Sequence, residues 1–229
     1  MRSLPALCLV ALSIVLPGTQ VSAAEPAHAS TKIWLLEDTA QVGGHAATVL
    51  GAPRVIDVAG SKAVYFDGVG DGLLLPVNPL EGLATFTIEA LINPSSDGQE
   101  EQRFLHAQDT LGSRALLEIR LKDGQWALDS FLRSEKSQEN RAQLDRTKLH
   151  PANCWTWVAL VYTNGRMAHF INGVKEMEGA VDFPPMGPGQ ISLGMRQNKV
   201  FWFKGRLREV RFHAVALTSA EMQSVPAGK

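Results

Sequence analysis

The feature that most constrains the fold is a set of two-residue turns, each lying between short runs of apolar residues. Asp123-Gly124 separates RALLEIRL from WALDSFL, Asn164-Gly165 separates WVALVYT from RMAHFI, and Asn172-Gly173 follows shortly after. Asp-Gly and Asn-Gly tolerate the positive φ angles that type I′ hairpin turns require. This spacing therefore predicts consecutive antiparallel hairpins.

The remainder of the chain repeats this pattern of short strands and turn residues. FTIEALI (residues 86–92) alternates apolar and polar positions and ends at Asn93-Pro94. Several such runs at near-regular spacing predict an all-β sandwich or barrel. One short C-terminal helix is expected where Thr218 and Glu221 form a capping box. The hydrophilic segment 134–148 has no periodicity, and we expect a long exposed loop there.

The first residues have the layout of a secretory signal peptide. Arg2 precedes an apolar run over residues 4–16, and Val21-Ser22-Ala23 supplies the small residues of a cleavage site. The run is too short to span a bilayer. We expect a signal peptide at 1–23, a flexible mature N-terminus at 24–31 and one domain at 32–229. The mature chain would then be exported, secreted or periplasmic, without a membrane span; a retained N-terminal anchor is the alternative.

Charge and cysteine content limit the partners. The chain has 22 Lys and Arg against 23 Asp and Glu, so its near-neutral balance argues against a nucleic-acid partner. Cys8 lies in the expected signal peptide, which leaves Cys154 alone in the mature chain. An intramolecular disulfide and a cysteine-type zinc site are therefore not expected. We expect Cys154 to be a buried apolar residue beside Trp155 and Trp157.

Five segments taken together resemble one family. The sequence resembles the laminin-G-like members of the concanavalin A-like lectin/glucanase superfamily, in order and spacing. The resemblance implies a jelly-roll sandwich of two curved antiparallel sheets. Members bind carbohydrates or proteins, and related glucanases and lyases cut polysaccharides. The segments are GGHAATVLGAPRV, AVYFDGVGDGLLLP, FTIEALINP, CWTWVALVYTNGRMAHFINGVKE and FKGRLREVRFHAVALTSAEM.

The sequence gives little support to catalysis. Relatives that hydrolyse β-glucans carry E-x-D-x-x-E on one strand, which places two carboxylates in one cleft, and this chain has no such string. Jelly-roll lyases use a Tyr/His pair with Arg, and here Tyr162 with His106 or His169 is the one dyad to consider. We assign no catalytic residue, and a small polysaccharide lyase is the alternative function.

A structural calcium ion stays open as a cofactor. Many members of the family hold Ca²⁺ near the N-terminal strand with an Asp in the closing strand, but Arg208 occupies that position here. Asp67 and Asp71 are the weak candidates for ligands, since calcium prefers carboxylate oxygens. Asp before Gly is also typical of turns.

The Asp123-Gly124 turn predicts which residues share a face. Leu121 should oppose Trp126 on the core side, whereas Glu118 should oppose Asp129 and Arg120 should oppose Ala127 on the other side. A one-residue slip would bury the charged set, so this register should hold. Charges in mid-strand positions are typical of the open face of a ligand-binding sheet. They are also typical of cross-strand pairing on a solvent-facing sheet, and both interpretations stay open.

Other strands are expected to add to that polar face, with Trp202 as an aromatic surface for a sugar. We therefore expect a secreted, non-catalytic module that binds a carbohydrate, and an acidic glycan in view of the arginines. A structural or protein-interaction domain of the cell envelope, with an extracellular protein as partner, is a further alternative. The candidate ligand-binding residues are Arg103, His106, Arg114, Glu118, Arg120, Asp129, Arg133, His169, Arg196, Asn198 and Trp202.

Overall fold

The computed structural model describes residues 30–225, so the expected signal peptide and most of the expected flexible N-terminus lie outside the described residues. Within this range no helix is long and apolar enough to cross a bilayer. The described residues form eighteen strands: β1 (Thr31–Leu35), β2 (Gln41–Val42), β3 (His45–Ala46), β4 (Thr48–Leu50), β5 (Arg54–Val58), β6 (Ser61–Asp67), β7 (Gly72–Leu75), β8 (Phe86–Pro94), β9 (Glu101–Asp109), β10 (Arg114–Lys122), β11 (Gln125–Arg133), β12 (Asn140–Leu144), β13 (His150–Pro151), β14 (Thr156–Thr163), β15 (Arg166–Ile171), β16 (Val174–Ala180), β17 (Gly189–Leu193) and β18 (Lys204–His213).

Two large antiparallel sheets form the sandwich. The first sheet has the order β16-β15-β14-β8-β18-β6-β5, with β1 also on β18. The second sheet has the order β12-β11-β10-β9-β17-β7-β4, with β13 also on β11. Neighbouring strands are often far apart in the chain, as for β8 and β18, which gives a jelly-roll-like topology. The prediction of an all-β jelly-roll sandwich is confirmed.

The core lies between the two sheets. Alternate residues of each strand point inward, so one face of every central strand is apolar. Phe86 and Leu160 of the first sheet and Phe104 and Trp126 of the second are fully buried in one cluster. Burying each such side chain stabilises the fold by about 1.5–3 kcal/mol.

The hairpin predictions hold in detail. Leu121 pairs with Trp126 and Glu118 with Asp129, as the two-residue turn requires. Asp123 and Gly124 adopt φ angles of 51° and 73°. Both residues of the turn therefore have the positive φ that selects a type I′ connection.

The expected C-terminal helix is a turn instead. The Thr218 N–H donates to Glu221 Oε2 at 2.8 Å, and the Glu221 N–H donates to the Thr218 carbonyl at 3.0 Å, so the capping contacts do form. The Leu217 N–H donates to Thr87 Oγ1, and the Gln223 N–H, which a longer helix would pair with the Ser219 carbonyl, donates to Glu89 Oε1. Contacts with β8 thus replace the hydrogen bonds that would extend a helix.

Two local expectations about polar and apolar segments are wrong. Segment 134–148 is not a loop throughout, since β12 pairs with β11 at the edge of the second sheet. An edge strand needs partners on one side only, and polar residues blunt such edges. Cys154 is exposed rather than buried. Trp155 and Trp157 lie under the guanidinium groups of Arg208 and Arg211, at 4.4 and 5.1 Å, so they cover the outside of the first sheet.

Candidate functional site

A cavity of about 170 Å³ lies on the outer face of the second sheet. Four arginines and two carboxylates surround it together with three apolar residues. The sheet positions most of them, and the loop after β17 supplies one. The lining residues are Arg103, Arg114, Leu116, Glu118, Arg120, Asp129, Phe131, Ala142 and Arg196.

The hairpin of β10 and β11 builds the floor of the cavity. Side chains two residues apart on a strand point to the same face, which places Glu118 next to Arg120 along β10. Across the hairpin, Glu118 pairs with Asp129, and Leu116 pairs with Phe131. The floor therefore has a charged end and an apolar centre.

A β-bulge in β9 brings Arg103 to the cavity. His106 pairs with Leu116, but the register shifts between Leu117 and Glu118, so that Arg103 pairs with Glu118. The extra residue allows Phe104 to point into the core while Arg103 and His106 both point outward. Without the bulge, strict alternation would place Arg103 on the core side.

The loop after β17 carries Arg196 to the opposite wall. Gly194 has a φ of +79°, and a Cβ there would lie 2.3 Å from the Phe66 ring, so only glycine fits this close approach. Arg196 then pairs with Val200 across a tight turn. The loop returns over Arg103, whose N–H donates to the Phe201 carbonyl at 2.8 Å and whose guanidinium carbon lies 3.9 Å from the Phe201 ring centre.

An ion-pair network occupies the charged end of the cavity. Arg103 contacts Glu101 at 2.6 Å and Glu118 at 2.9 Å. Arg120 contacts Asp129 at 2.5 Å, and Glu118 and Glu101 each at 3.1 Å. Two arginines thus face three carboxylates. The alternative of cross-strand pairing therefore describes this part of the face.

Burial shifts the pKa values of Asp129 and His106. It raises the pKa of Asp129 to about 7, an effect that Arg120 opposes and Glu118 increases. Burial, together with the positive charges of Arg196, Arg114 and Arg103, lowers the pKa of His106 to about 3. His106 is therefore a neutral imidazole at physiological pH, whereas Asp129 titrates close to it.

Arg114 and Arg196 line the cavity but do not belong to this network, and neither forms a salt bridge within residues 30–225. Arg133, the cross-strand partner of Arg114, is paired with Glu135 at 2.7 Å. Arg114 donates only to the Gly112 carbonyl, at 3.3 Å. Burial and the charges of Arg133 and Arg196 lower the pKa of Arg114.

Most of the residues predicted from the sequence meet at this face. Six line the cavity, and two are cross-strand partners of lining residues, since His106 pairs with Leu116 and Arg133 pairs with Arg114. The six are Arg103, Arg114, Glu118, Arg120, Asp129 and Arg196. Three predicted residues do not join them, and each has a physical reason.

His169 is the clearest correction. It lies on β15 of the first sheet, is 1% exposed, and its Nδ1 lies 2.9 Å from Ser130 Oγ of the second sheet. His169 therefore points between the sheets. Simple alternation would place its neighbours Ala168 and Phe170 on the core side, but they pack beneath the C-terminal segment on the outside of the first sheet.

Asn198 and Trp202 do not line the cavity either, and their part in binding stays a prediction. The strand ends at Leu193, so the alternation that would carry Asn198 to the sheet face stops, and Asn198 is exposed at the tip of the loop. Trp202 is half-buried but does not line the cavity. The ring that the loop places beside the arginines is that of Phe201.

Sequence reasoning missed the apolar members of the site. Leu116 and Phe131 follow from the same register that placed Glu118 opposite Asp129, because they are the next pair on that face. Ala142 was missed because its strand, β12, has the polar composition of a loop, and Phe201 because only the folded loop brings it to Arg103.

The weak calcium candidates, Asp67 and Asp71, accept hydrogen bonds from backbone N–H groups. Asp67 Oδ1 accepts the N–H groups of Val69, Gly70 and Asp71 at 2.8–3.1 Å. Both oxygens of Asp71 also accept backbone N–H groups, from Ala52 at 2.7 Å and from Asp67 at 3.1 Å. Such contacts are typical of turn-forming aspartates, and a structural calcium ion stays a prediction. The two carboxylates hold a turn.

The dyad of the alternative lyase does not form. Tyr162 is 4% exposed and packs in the core against Phe86. Its hydroxyl oxygen accepts the Phe183 N–H at 2.9 Å. Tyr162 therefore has no access to the outer face on which His106 lies, and His169 is buried between the sheets.

Solved structures share this fold. Domain 4 of AbnA, a GH43 extracellular arabinanase from Geobacillus stearothermophilus in complex with arabinotriose, matches with a TM-score of 0.62 and 22% identity, over 84% of this chain and 96% of that one. The botulinum neurotoxin serotype D ligand binding domain, in complex with N-acetylneuraminic acid, has a TM-score of 0.60 and 15% identity over 82% of this chain.

The binding domain of Paraclostridial Mosquitocidal Protein 1 is similar too, with a TM-score of 0.61 and 16% identity over 83% of this chain. This chain spans about half the length of the two toxin domains, 48% and 50% respectively. No curated protein matches the chain in sequence. The family model Laminin_G_3, described as concanavalin A-like lectin/glucanases superfamily, matches residues 67–223, which is more than half of the sequence, and the chain therefore belongs to this family.

Proposed function

We propose that this protein is an exported, non-catalytic carbohydrate-binding module that holds a glycan on the outer face of the second sheet. The glycan would lie over the cavity between β10, β11 and the loop after β17. No catalytic role is assigned to any residue of this face.

The observation that carries the proposal is the pairing of an aromatic ring with arginines that have no carboxylate partner. The half-buried Phe131 ring provides an apolar surface in the centre of the cavity above the buried Leu116, and the guanidinium carbon of Arg114 lies 5.6 Å from the centre of that ring. Arg114 and Arg196 lie beside it without a salt bridge in the described part of the chain. A sugar ring offers an apolar face for stacking and hydroxyl groups for hydrogen bonds, which matches this combination.

Two solved structures with the same fold also support the proposal. One is in complex with arabinotriose and the other with N-acetylneuraminic acid. The family to which this chain belongs is described by its lectins and glucanases. Because these structures are less than 25% identical to this chain, they support a class of ligand and no particular sugar.

A glycan-array screen of the chain without residues 1–23 tests this proposal. The Phe131→Ala variant should lose about tenfold in affinity for any glycan that binds, because the stacking surface is removed. Trp202→Ala is the matched control, since this aromatic residue is half-buried in the loop after β17 but outside the cavity. Its affinity should stay within about twofold.

A folded wild-type protein that binds no glycan would contradict the proposal and would favour the protein-interaction alternative. Equal losses in both variants would contradict the assigned position of the site.

The proposed export has its own test, because fractionation of cells should place the processed chain outside the cytoplasm, in the periplasm or the medium. Recovery of the full-length chain in the cytoplasm would contradict that part.

A further inference from the structure

The cavity has two ends with different electrostatic states. At one end, Arg103 and Arg120 are held by Glu101, Glu118 and Asp129. That end has more carboxylates than arginines, and it offers no excess positive charge to a ligand. The positive charge that remains lies at the other end.

Arg114 and Arg196 make up this second end. Both line the cavity, both are half-buried, and neither forms a salt bridge within the range 30–225. Two like charges held together repel each other, and the repulsion is strongest where solvent is partly excluded. Arg133, which lies opposite Arg114, is paired with Glu135, so its positive charge is neutralised.

His106 adds a hydrogen-bond donor beside them. Its Nδ1 accepts the Gln197 N–H at 3.1 Å, so the single proton of the neutral imidazole lies on Nε2. His106 is 2% exposed, and the Gln108 side chain lies near its ring, but no acceptor among the described residues reaches Nε2 within hydrogen-bond geometry. Arg114 Nε is also buried without an acceptor. Two donors that lack an acceptor among the described residues, on Arg114 and on the neighbouring His106, therefore lie at this second end of the cavity.

From this geometry we infer that Arg114, Arg196 and the Nε2–H of His106 form a subsite for an oxyanion carried by the glycan, either a carboxylate or a sulfate group. Water would satisfy the unpaired donors of Arg114 and His106, but it would not neutralise two guanidinium groups. An oxyanion does both, since its oxygens accept several N–H groups at once and its charge offsets the repulsion. This inference rests on the proposed function and identifies its ligand as an acidic sugar.

The test uses three monosaccharides on one scaffold: glucose, glucuronate and glucose 6-sulfate. Nuclear magnetic resonance follows the Arg114 Nε–H and the His106 imidazole at constant ionic strength. We expect saturable shifts of both signals with glucuronate, glucose 6-sulfate or both, and none with glucose. The pKa of His106 should rise when the anion binds, because a nearby negative charge favours the imidazolium form.

Variants then separate a subsite from a general effect of charge. Arg114→Gln and Arg196→Gln should each weaken anion binding about tenfold, because each removes a charge-assisted hydrogen bond. Arg166→Gln is the control, since it changes the net charge equally but lies on the first sheet, paired with Glu178. It should stay within about twofold of the wild-type affinity.

Three results would overturn the inference: no saturable shift with either anion, an equal response to glucose, or an equal loss in Arg166→Gln. The two anions separate a carboxylated from a sulfated ligand. Failure of the proposed function would give a different result: no glycan would bind on the array, while glucuronate or glucose 6-sulfate would still give saturable shifts. If only neutral glycans bind on the array and neither anion gives a response, the proposed function would be supported and the oxyanion subsite would be contradicted.

Discussion

The arginines on the outer face of the second sheet differ in whether they form ion pairs with carboxylates. Arg120 contacts three carboxylates and is 11% exposed, so its removal would leave Asp129 and Glu118 buried with less compensation. Breaking a buried ion pair costs about 3–5 kcal/mol, and a variant at Arg120 would report on folding. Arg114 and Arg196 have no such partner among the described residues, and variants at these two positions report on binding.

Asp129 leads to a prediction about stability and pH. Its pKa is raised from 3.8 to about 7 in the folded protein, so the folded state holds this proton more tightly than the unfolded state. Its contribution to stability is full below pH 3.8 and is lost as the pH rises through about 7. Asp129→Asn lacks this titration, so wild-type protein should lose stability relative to the variant as the pH rises through this window.

The measurement is the free energy of unfolding of both proteins, by chemical denaturation at a series of pH values. Taking the difference between the two proteins cancels the other titrating groups, including His106 and His169, whose lowered pKa values act in the opposite direction. Two curves that run parallel between pH 3.8 and about pH 7 would contradict the assignment to Asp129.

At the scale of the elements, the sequence predicts strands best where the turn chemistry is explicit. The Asp123-Gly124 turn determines the register of β10 and β11 and hence the opposition of Glu118 and Asp129. The bulge near Leu117 has no sequence signature, because Phe104 and Leu105 resemble any apolar pair. The edge strand β12 was missed because its polar residues resemble a loop, and its place beside β11 is a tertiary contact.

Alanine substitutions at two glycines test how much backbone strain and side-chain packing at turns contribute to stability. Gly124 has a φ of +73° and open space where a Cβ would lie, so Gly124→Ala costs only backbone strain, about 1 kcal/mol. Gly194 has a similar φ of +79°, but a Cβ would contact the Phe66 ring at 2.3 Å. Gly194→Ala therefore adds overpacking of about 1–3 kcal/mol, and it also moves the loop that carries Arg196.

Urea denaturation of the two alanine variants measures this difference directly, with the hairpin variant as the control for backbone strain. Gly194→Ala should also weaken glycan binding, whereas Gly124→Ala should not, since Gly124 lies at the far end of the hairpin from Arg196. Equal destabilisation would show that the loop moves away from Phe66 without cost.

At the scale of the whole molecule, the outer faces of the two sheets differ in what covers them. The first sheet is closed by the C-terminal segment, where Met222 packs against Ala159, Val161 and Phe170. Because both faces of β14 and β15 are buried here, the alternation in β15 does not reveal which side is the core, and the placement predicted for His169 was wrong for this reason. The second sheet keeps its charged outer face and its cavity.

This difference predicts that stability and binding can be changed separately. Met222→Ala removes a side chain that is 8% exposed and should lower the free energy of unfolding by about 2 kcal/mol. It should leave glycan affinity unchanged in the folded protein, because the covering segment packs on the first sheet. Arg196→Gln should do the reverse, with weaker binding and little change in stability. Calorimetric unfolding and titration of both variants give the comparison, and a loss of affinity in Met222→Ala would show that the two faces are coupled through the core.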